Sequence, residues 1–554
     1  MARWYERWFV LLSLTLFLLC SIRASDAQTH LVELINADEV VVESDSVNGT
    51  VRRLYGNVVL RQDTVSLRAA RATQYEQRGE IFLEGSVRII SGDDTLTARR
   101  VTYDSNEKVA EAVGNVRISD GESVLLAPSA TYFSRQKLAT FTEGGRLLHE
   151  DAELTAPAGH YSTRDKLAEF EGPVELRDST AVLTSQFGTY DTRAEKVVFS
   201  GEVRLLRRGV RIEADSLVYY RRTEVSAASG RVVLERFGLE RFGDAEDGQN
   251  GGIAPDSTQR SILFGAFGEH DAQNETSRVE GDLTGNPLLV QLRTDSTGAT
   301  DTTLVRARRF EAVQVDSLAG RYTFITAVGE VRMAGPRLSA VADSARFERV
   351  EPADSTSGPV RDRLSFFGEE RPSVWFEDAQ VSGDTLFAFA VGESIEYMDI
   401  YGNAFAAQLD TTLGRVRQIR GLRMRAVFEG DSLRTLSVWP DAEAIHFRAT
   451  SDGLLDGADR LTADSLAFRF GGGRLEEVFG VRNVEGITYG PEIIPEPFRL
   501  PGYTFTPERR PNRAQLLPEN GWEAAWLGAN LGSDGSGEPE DDSQDPVEGE
   551  AASG

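Results

Sequence analysis

Cysteine is almost missing: Cys20 is the only one in 554 residues. A mature chain cut beyond it could form no disulfide and would have no thiolate for metal or catalysis. Lysine is scarce too, standing only at Lys108, Lys137, Lys166 and Lys196, so the cationic side is almost all arginine. No basic cluster offsets a formal charge of −27, and phosphate binding needs one, so nucleic acid is excluded as a partner. The five histidines, His30, His149, His160, His270 and His446, show no metal spacing and are expected at the surface. There is no nucleophile elbow, phosphate loop or zinc signature. Neither a metal nor any other cofactor is expected.

The one long apolar run, Trp8 to Cys20, follows Arg3 and Arg7 and is shorter than the roughly 20 residues that span a bilayer. Small residues at Ser25-Asp26-Ala27 then offer a cleavage site, so residues 1–27 are expected to be a signal peptide and the mature chain to start near Gln28. A retained anchor is the alternative.

What the chain has in abundance is repetition. Tyr75, Tyr103, Tyr132, Tyr161, Tyr190 and Tyr219 are separated by 28 and then four times 29 residues. A second ladder, Gly56, Gly85, Gly114, Gly144, Gly172, Gly201 and Gly230, keeps the same beat, with Gly144 one position late. The four lysines share one slot, five or six residues after a ladder tyrosine. Around Gly114, Ala110, Ala112, Val116 and Ile118 fall on one parity and Glu111, Asn115 and Arg117 on the other, the mark of a half-buried strand. The second half of each repeat reads Leu-x-Ala-x-x-x-x-Tyr, as from Leu125 to Tyr132, and there the parity breaks, which predicts a bulge or corner. Polar turns such as Asp104-Ser105-Asn106 and Ser119-Asp120-Gly121 separate the strands. Each repeat therefore predicts two strands of about ten residues, each roughly 33 Å long.

Residues 28–236 form the clear array. Residues 237–303, rich in Gly, Asp, Asn, Gln, Ser and Thr, are expected to be a linker or long insertion. A second, divergent array is expected over residues 304–489, where Leu461 to Phe468 echoes Ile212 to Tyr219 in character. Residues 490–527 are proline-rich and predict an extended cap on the last strands, and the acidic residues 528–554 predict a disordered tail.

Gly114-Asn115-Val116-Arg117-Ile118, Leu125 to Tyr132 and Lys137-Leu138-Ala139, with their copies, resemble the OstA-like or LptA family of periplasmic lipopolysaccharide-transport proteins, which includes the N-terminal domain of LptD. The likeness is good over residues 54–234 and weak over residues 304–485. It implies an all-β, repetitive antiparallel β-jelly roll of two-strand, 29-residue units, in one array or two consecutive ones. It also implies no catalysis, a periplasmic location with or without attachment to the inner or outer membrane, and lipopolysaccharide as ligand. Partners would be inner- and outer-membrane transport components joined by edge-strand pairing, with head-to-tail self-association as a further mode. The chain is much longer than a minimal bridge and lacks the lipid-facing strands of an LptD barrel.

The residues expected to line a lipid-holding interior are Val58, Leu60, Leu83, Val87, Ile89, Val116, Ile118, Phe170, Val174, Leu176, Phe199, Val203 and Leu205. The competing expectation is a non-catalytic β-solenoid scaffold with a filled core, in which the same rows are plain packing. A polysaccharide-active β-helix ranks last, because no cluster of acids and bases falls on one face. The tyrosines read as a packing ladder. Acidic pairs such as Asp93-Asp94, and the recurrent Asp-Ser-Leu at Asp215, Asp316, Asp431 and Asp464, read as solvated turn chemistry.

Overall fold

The computed structural model describes residues 31–531 apart from 46–48, 208, 242–252, 284, 295–298, 319, 353–357, 392–393, 431 and 473. The expected signal peptide lies outside the described residues, as does the expected acidic tail beyond Leu531. The chain is strand after strand with antiparallel pairing, and it divides into two units. One holds residues 1–179 and 186–194, the other residues 180–185 and 195–554.

In the first unit the repeat becomes strands of 11 or 12 residues: Glu80–Ser91, Asp94–Asp104, Val109–Ser119 and Ser123–Phe133. Each bends in its middle. The ladder shifts register between Glu84 and Val87 and again between Val113 and Val116, at the glycine positions. Gly85 and Gly114 have φ of 80° and 86°, and an added Cβ would stand 2.8 Å from the Cβ of Ala70 and 3.0 Å from that of Arg99. The glycine ladder is thus the corner at which every second strand passes from one layer to the other. The neighbouring strand turns at the parity break read between Ala127 and Ala130. At the late glycine the strand is interrupted, giving Leu138–Phe141 and Gly145–His149, and its neighbour breaks at Pro157 into Ala152–Ala156 and Ala158–Ser162.

In the second unit Lys196–Arg207 and Val210–Tyr220 keep the pattern. Residues 237–303 are not a linker: they contain Ile253–Asp271, Thr276–Glu280, Leu288–Thr294 and most of Thr300–Arg306, all in the ladder. The expectation failed because alternation vanishes where both faces are covered. Val232, Val233 and Leu234 are all buried, as are Ile262, Leu263 and Phe264.

The cover is the C-terminal segment, which does more than cap the last strands. Phe498 and Leu500 pack with Phe405, Ile445 and Phe447. The carboxamide of Gln418 accepts from the Leu500 amide at 2.8 Å and donates to the Phe498 carbonyl at 3.1 Å, and Gln380 accepts from the Thr506 amide at 2.7 Å. The segment runs on through two helices, Arg513–Leu516 and Trp522–Leu531. Leu516 enters a cluster with Val233, Ile262 and Phe264, the Trp522 and Trp526 rings meet Phe264 edge-on, and the Trp526 indole donates to Glu213. Ascending residues of this strap therefore meet descending residues of the unit, from Gln418 back to Arg211, which donates to Asn530. The two facing glutamines act as short stretches of strand edge.

Candidate functional site

All thirteen residues expected inside are buried, at 2% exposure or less. Cross-strand pairing joins them into rows. Leu60 faces Leu67, which faces Ile89, and the line continues through Leu96, Ile118 and Leu125 to Leu147, Leu154 and Leu176. A parallel row alternates large and small: Tyr103, Ala110, Tyr132, Ala139, Tyr161, Ala168. Alternation of this kind lets rings from alternate strands fill a narrow space without clashing. The interior is therefore closed over most of its length. It surfaces at the chain-start end, where Leu34, opposite Leu60, and Val40, opposite Leu54, are 38% and 44% exposed. In the second unit Val478, opposite Phe468, is 39% exposed.

Opposite the glycine corner the two layers meet along a polar seam. The Tyr103 hydroxyl donates to Gln62 at 2.9 Å, the Gln62 amide donates to the Ser105 carbonyl, and Lys108 binds Asp63 at 2.5 Å. One repeat on, Asp94 accepts from the Tyr132 hydroxyl and from Thr163 at 2.8 Å and pairs with Lys137 at 3.0 Å; Lys137 also donates to the Ser91 carbonyl. At the third rung Asp120 accepts from the Tyr161 hydroxyl and from Lys166 at 2.8 Å, while Glu122 stands 3.1 Å from the same ammonium. Backbone bonds tie the rungs together: Ser134 donates to the Lys108 carbonyl, Thr163 to that of Lys137 and Thr192 to that of Lys166.

Two expectations are corrected here. Asp94 is 4% exposed rather than solvated, because three donors converge on it, and the tyrosines are hydrogen-bond donors as well as packing. Burial and the bond to Asp94 push the Tyr132 phenol far up, and burial with Asp120 pushes Tyr161 up to about 12, so both remain donors. Burial alone would raise the Asp120 carboxyl, but Lys166, Tyr161 and the Ser123 and Glu122 amides outweigh it and hold it low. Burial likewise opposes charge on Lys166, and Asp120 and Glu122 overcome it, so its pKa is raised. Lys108, Lys137 and Lys166 all have φ near 60°, at 59°, 60° and 61°, a region that few side chains enter. The slot shared by the lysines was visible in the sequence; their partners about 45 residues away were not.

Not every histidine is at the surface. His149 is 9% exposed, with its Nδ1 3.0 Å from Ser123 Oγ and its ring edge-on to Tyr190. His270 is 1% exposed, and its Nδ1 lies 3.1 Å from the Thr276 carbonyl. Burial, then the nearby Arg236 and Arg207, pull its pKa down to about 4. A groove of about 870 Å³ lies around the Gly144 interruption, lined by outward Arg117, Leu126, Pro128 and Arg146 and by the inward-row residues Val116, Ala127 and Ala156. Among the described residues no three His, Cys, Asp or Glu side chains gather as metal ligands.

Fold and interior together define an antiparallel β-jelly roll, with an apolar inside traced through the first unit from Leu60 to Leu176. Residues 29–181 match the family model described as OstA-like protein. Among solved structures the chain is similar to LptH, the LptA homologous periplasmic component of the conserved lipopolysaccharide transport device from Pseudomonas aeruginosa. The likeness has 13% identity, covers 26% of this chain and 94% of that one, and has a TM-score of 0.15. No curated protein matches.

Proposed function

We propose that this chain is a periplasmic, non-catalytic lipopolysaccharide-transport protein that shields acyl chains between its two β-layers on the way to the outer membrane. The observation that carries the reading is the unbroken inward row from Leu60 to Leu176, which reaches the rim at Leu34. An acyl chain left in water costs about 0.8 kcal/mol per methylene, so a carrier needs such an uninterrupted apolar path. Val58, Leu83, Val87, Val116, Phe170 and Val174 would face the lipid beside that row, and Phe199, Val203 and Leu205 would face it within the second unit. Rim strands Glu33–Asn36 and Glu39–Asp45, both paired to Gly49–Gln62, would join inner- or outer-membrane transport components or a second copy by edge pairing. Export would follow from cleavage of residues 1–27.

The low exposure of the rows favours the second reading, a scaffold with a permanently filled core. Antiparallel pairing opposes the one-way coil which that reading first suggested. A photo-crosslinking residue at Val116 or Val203 separates the two in cells. Lipopolysaccharide adducts at these inward sites, with few at outward Arg117, are expected. Adducts at Arg117 alone, or none from a folded protein, would leave only the scaffold.

A further inference from the structure

The chain uses arginine throughout and lysine at four places, all in one slot of the repeat. Three of these lysines stand in the first unit, each bound to an acid across the seam, and each beside a tyrosine or its rung whose ring lies in the interior. An ammonium is a compact, mobile point charge that exchanges one oxygen partner for another, whereas a guanidinium in a two-point bond is fixed in plane. Directly behind the seam lies the Tyr103–Ala110–Tyr132–Ala139 row, so parting a rung would open straight onto apolar surface. Among the described residues of the first unit, the seam sets three such cations side by side against this row.

We propose that this seam is a side entrance for anionic amphiphiles. Lys108, Lys137 and Lys166 release Asp63, Asp94 and Asp120 and take the phosphate of the headgroup, while the acyl chain passes between the parted layers. The ligand class is a lipid carrying a phosphate near its acyl chains. The proposal rests on the reading that the interior accepts such chains, and it adds where they enter and what holds the headgroup.

The test bridges the seam reversibly. In a Cys20→Ser background, Asp94→Cys with Lys137→Cys, and Asp120→Cys with Lys166→Cys, are joined by a short bifunctional methanethiosulfonate and released by reductant. Binding of a monoalkyl phosphate is measured by equilibrium dialysis on the same preparation before and after reduction, beside the unaltered protein. Relative to the reduced form of the same variant, which keeps two of the three lysines, bridging is expected to weaken binding by about tenfold or more, since it removes the entry-competent population. Equal binding by bridged and reduced protein would overturn the side entrance while leaving the lipid reading intact. No binding even by the unaltered protein would end both. In the unaltered chain the alkyl phosphate should outcompete a zwitterionic amphiphile of equal chain length. Lys137→Gln and Lys166→Gln, checked for retained strand signal by circular dichroism, should erase that preference; an unchanged preference would overturn the lysine role. Inorganic phosphate should displace little of the probe. Displacement as strong as by the alkyl phosphate would reduce the seam to an anion site and overturn the entrance.

Discussion

Glycine at the corner does work that no other residue could do at equal cost. Gly114 combines a φ of 86° with a neighbouring Cβ only 3.0 Å from where its own would be. Gly114→Ala is expected to destabilise the first unit by about 1–3 kcal/mol, read as a lower urea midpoint. His270 is a second residue whose burial sets stability. Its folded pKa of about 4 lies below the ordinary 6.5, so the unfolded chain binds more protons between those values and stability falls as pH drops from about 6.5 to 4. The full loss is about 3 kcal/mol for this almost wholly buried ring. Urea unfolding across that range should show the decline, and His270→Gln should flatten it. If the variant declines as steeply, another group is responsible.

A rung of the seam is a unit of several donors on one acid, so removing the acid costs more than removing a donor. Asp94→Ala strands Tyr132, Lys137 and Thr163 together and is expected to cost about 2–4 kcal/mol, against about 1 kcal/mol for Tyr132→Phe. Chemical denaturation of the two variants would show the difference. Acid should loosen the third rung. The Asp120 carboxyl is held below its ordinary pKa, so its contribution is complete above the unfolded value and is lost as pH falls through the depressed one. Asp120→Asn should remove that acid-dependent part. A rung worth about 1–3 kcal/mol is offset by burying about two to four methylenes, so one long acyl chain has enough driving force to part several. The strap obeys similar logic. Gln418→Ala removes two bonds to residues 498–500 and should raise amide exchange there well before the strands of the unit respond.

For the molecule as a whole, what could be read in the sequence was what repeats. Period, corner and inward rows were legible because each strand has one wet face, as Val109–Ser119 does with Glu111 and Arg117 outside and Ala112 and Val116 inside. Legibility ended where that condition ended. Beneath the strap both faces of Ile262–Phe264 are dry, and the stretch read as linker is strand. The seam was hidden for another reason: Lys137 and Asp94 are about one and a half repeats apart, an offset that no ladder of identical residues displays. The tyrosines were read as a packing ladder, but the destination of their hydroxyls depends on a closure between layers that a strand pattern does not encode.

The strap has a bearing on the order of assembly. Neighbouring strands in the first unit pair almost wholly with the next in sequence, so a chain emerging amino end first can complete each repeat while the remainder is still to come. Residues 498–531 find their partners only among strands already laid down, as Trp526 does with Glu213, over 300 positions earlier. Until that last stretch arrives, the dry outer wall around Phe264 stands uncovered. A truncation before Leu516 should therefore leave the first unit sound and turn the second into a sticky, aggregation-prone intermediate, visible as dye binding and higher-order species in sizing.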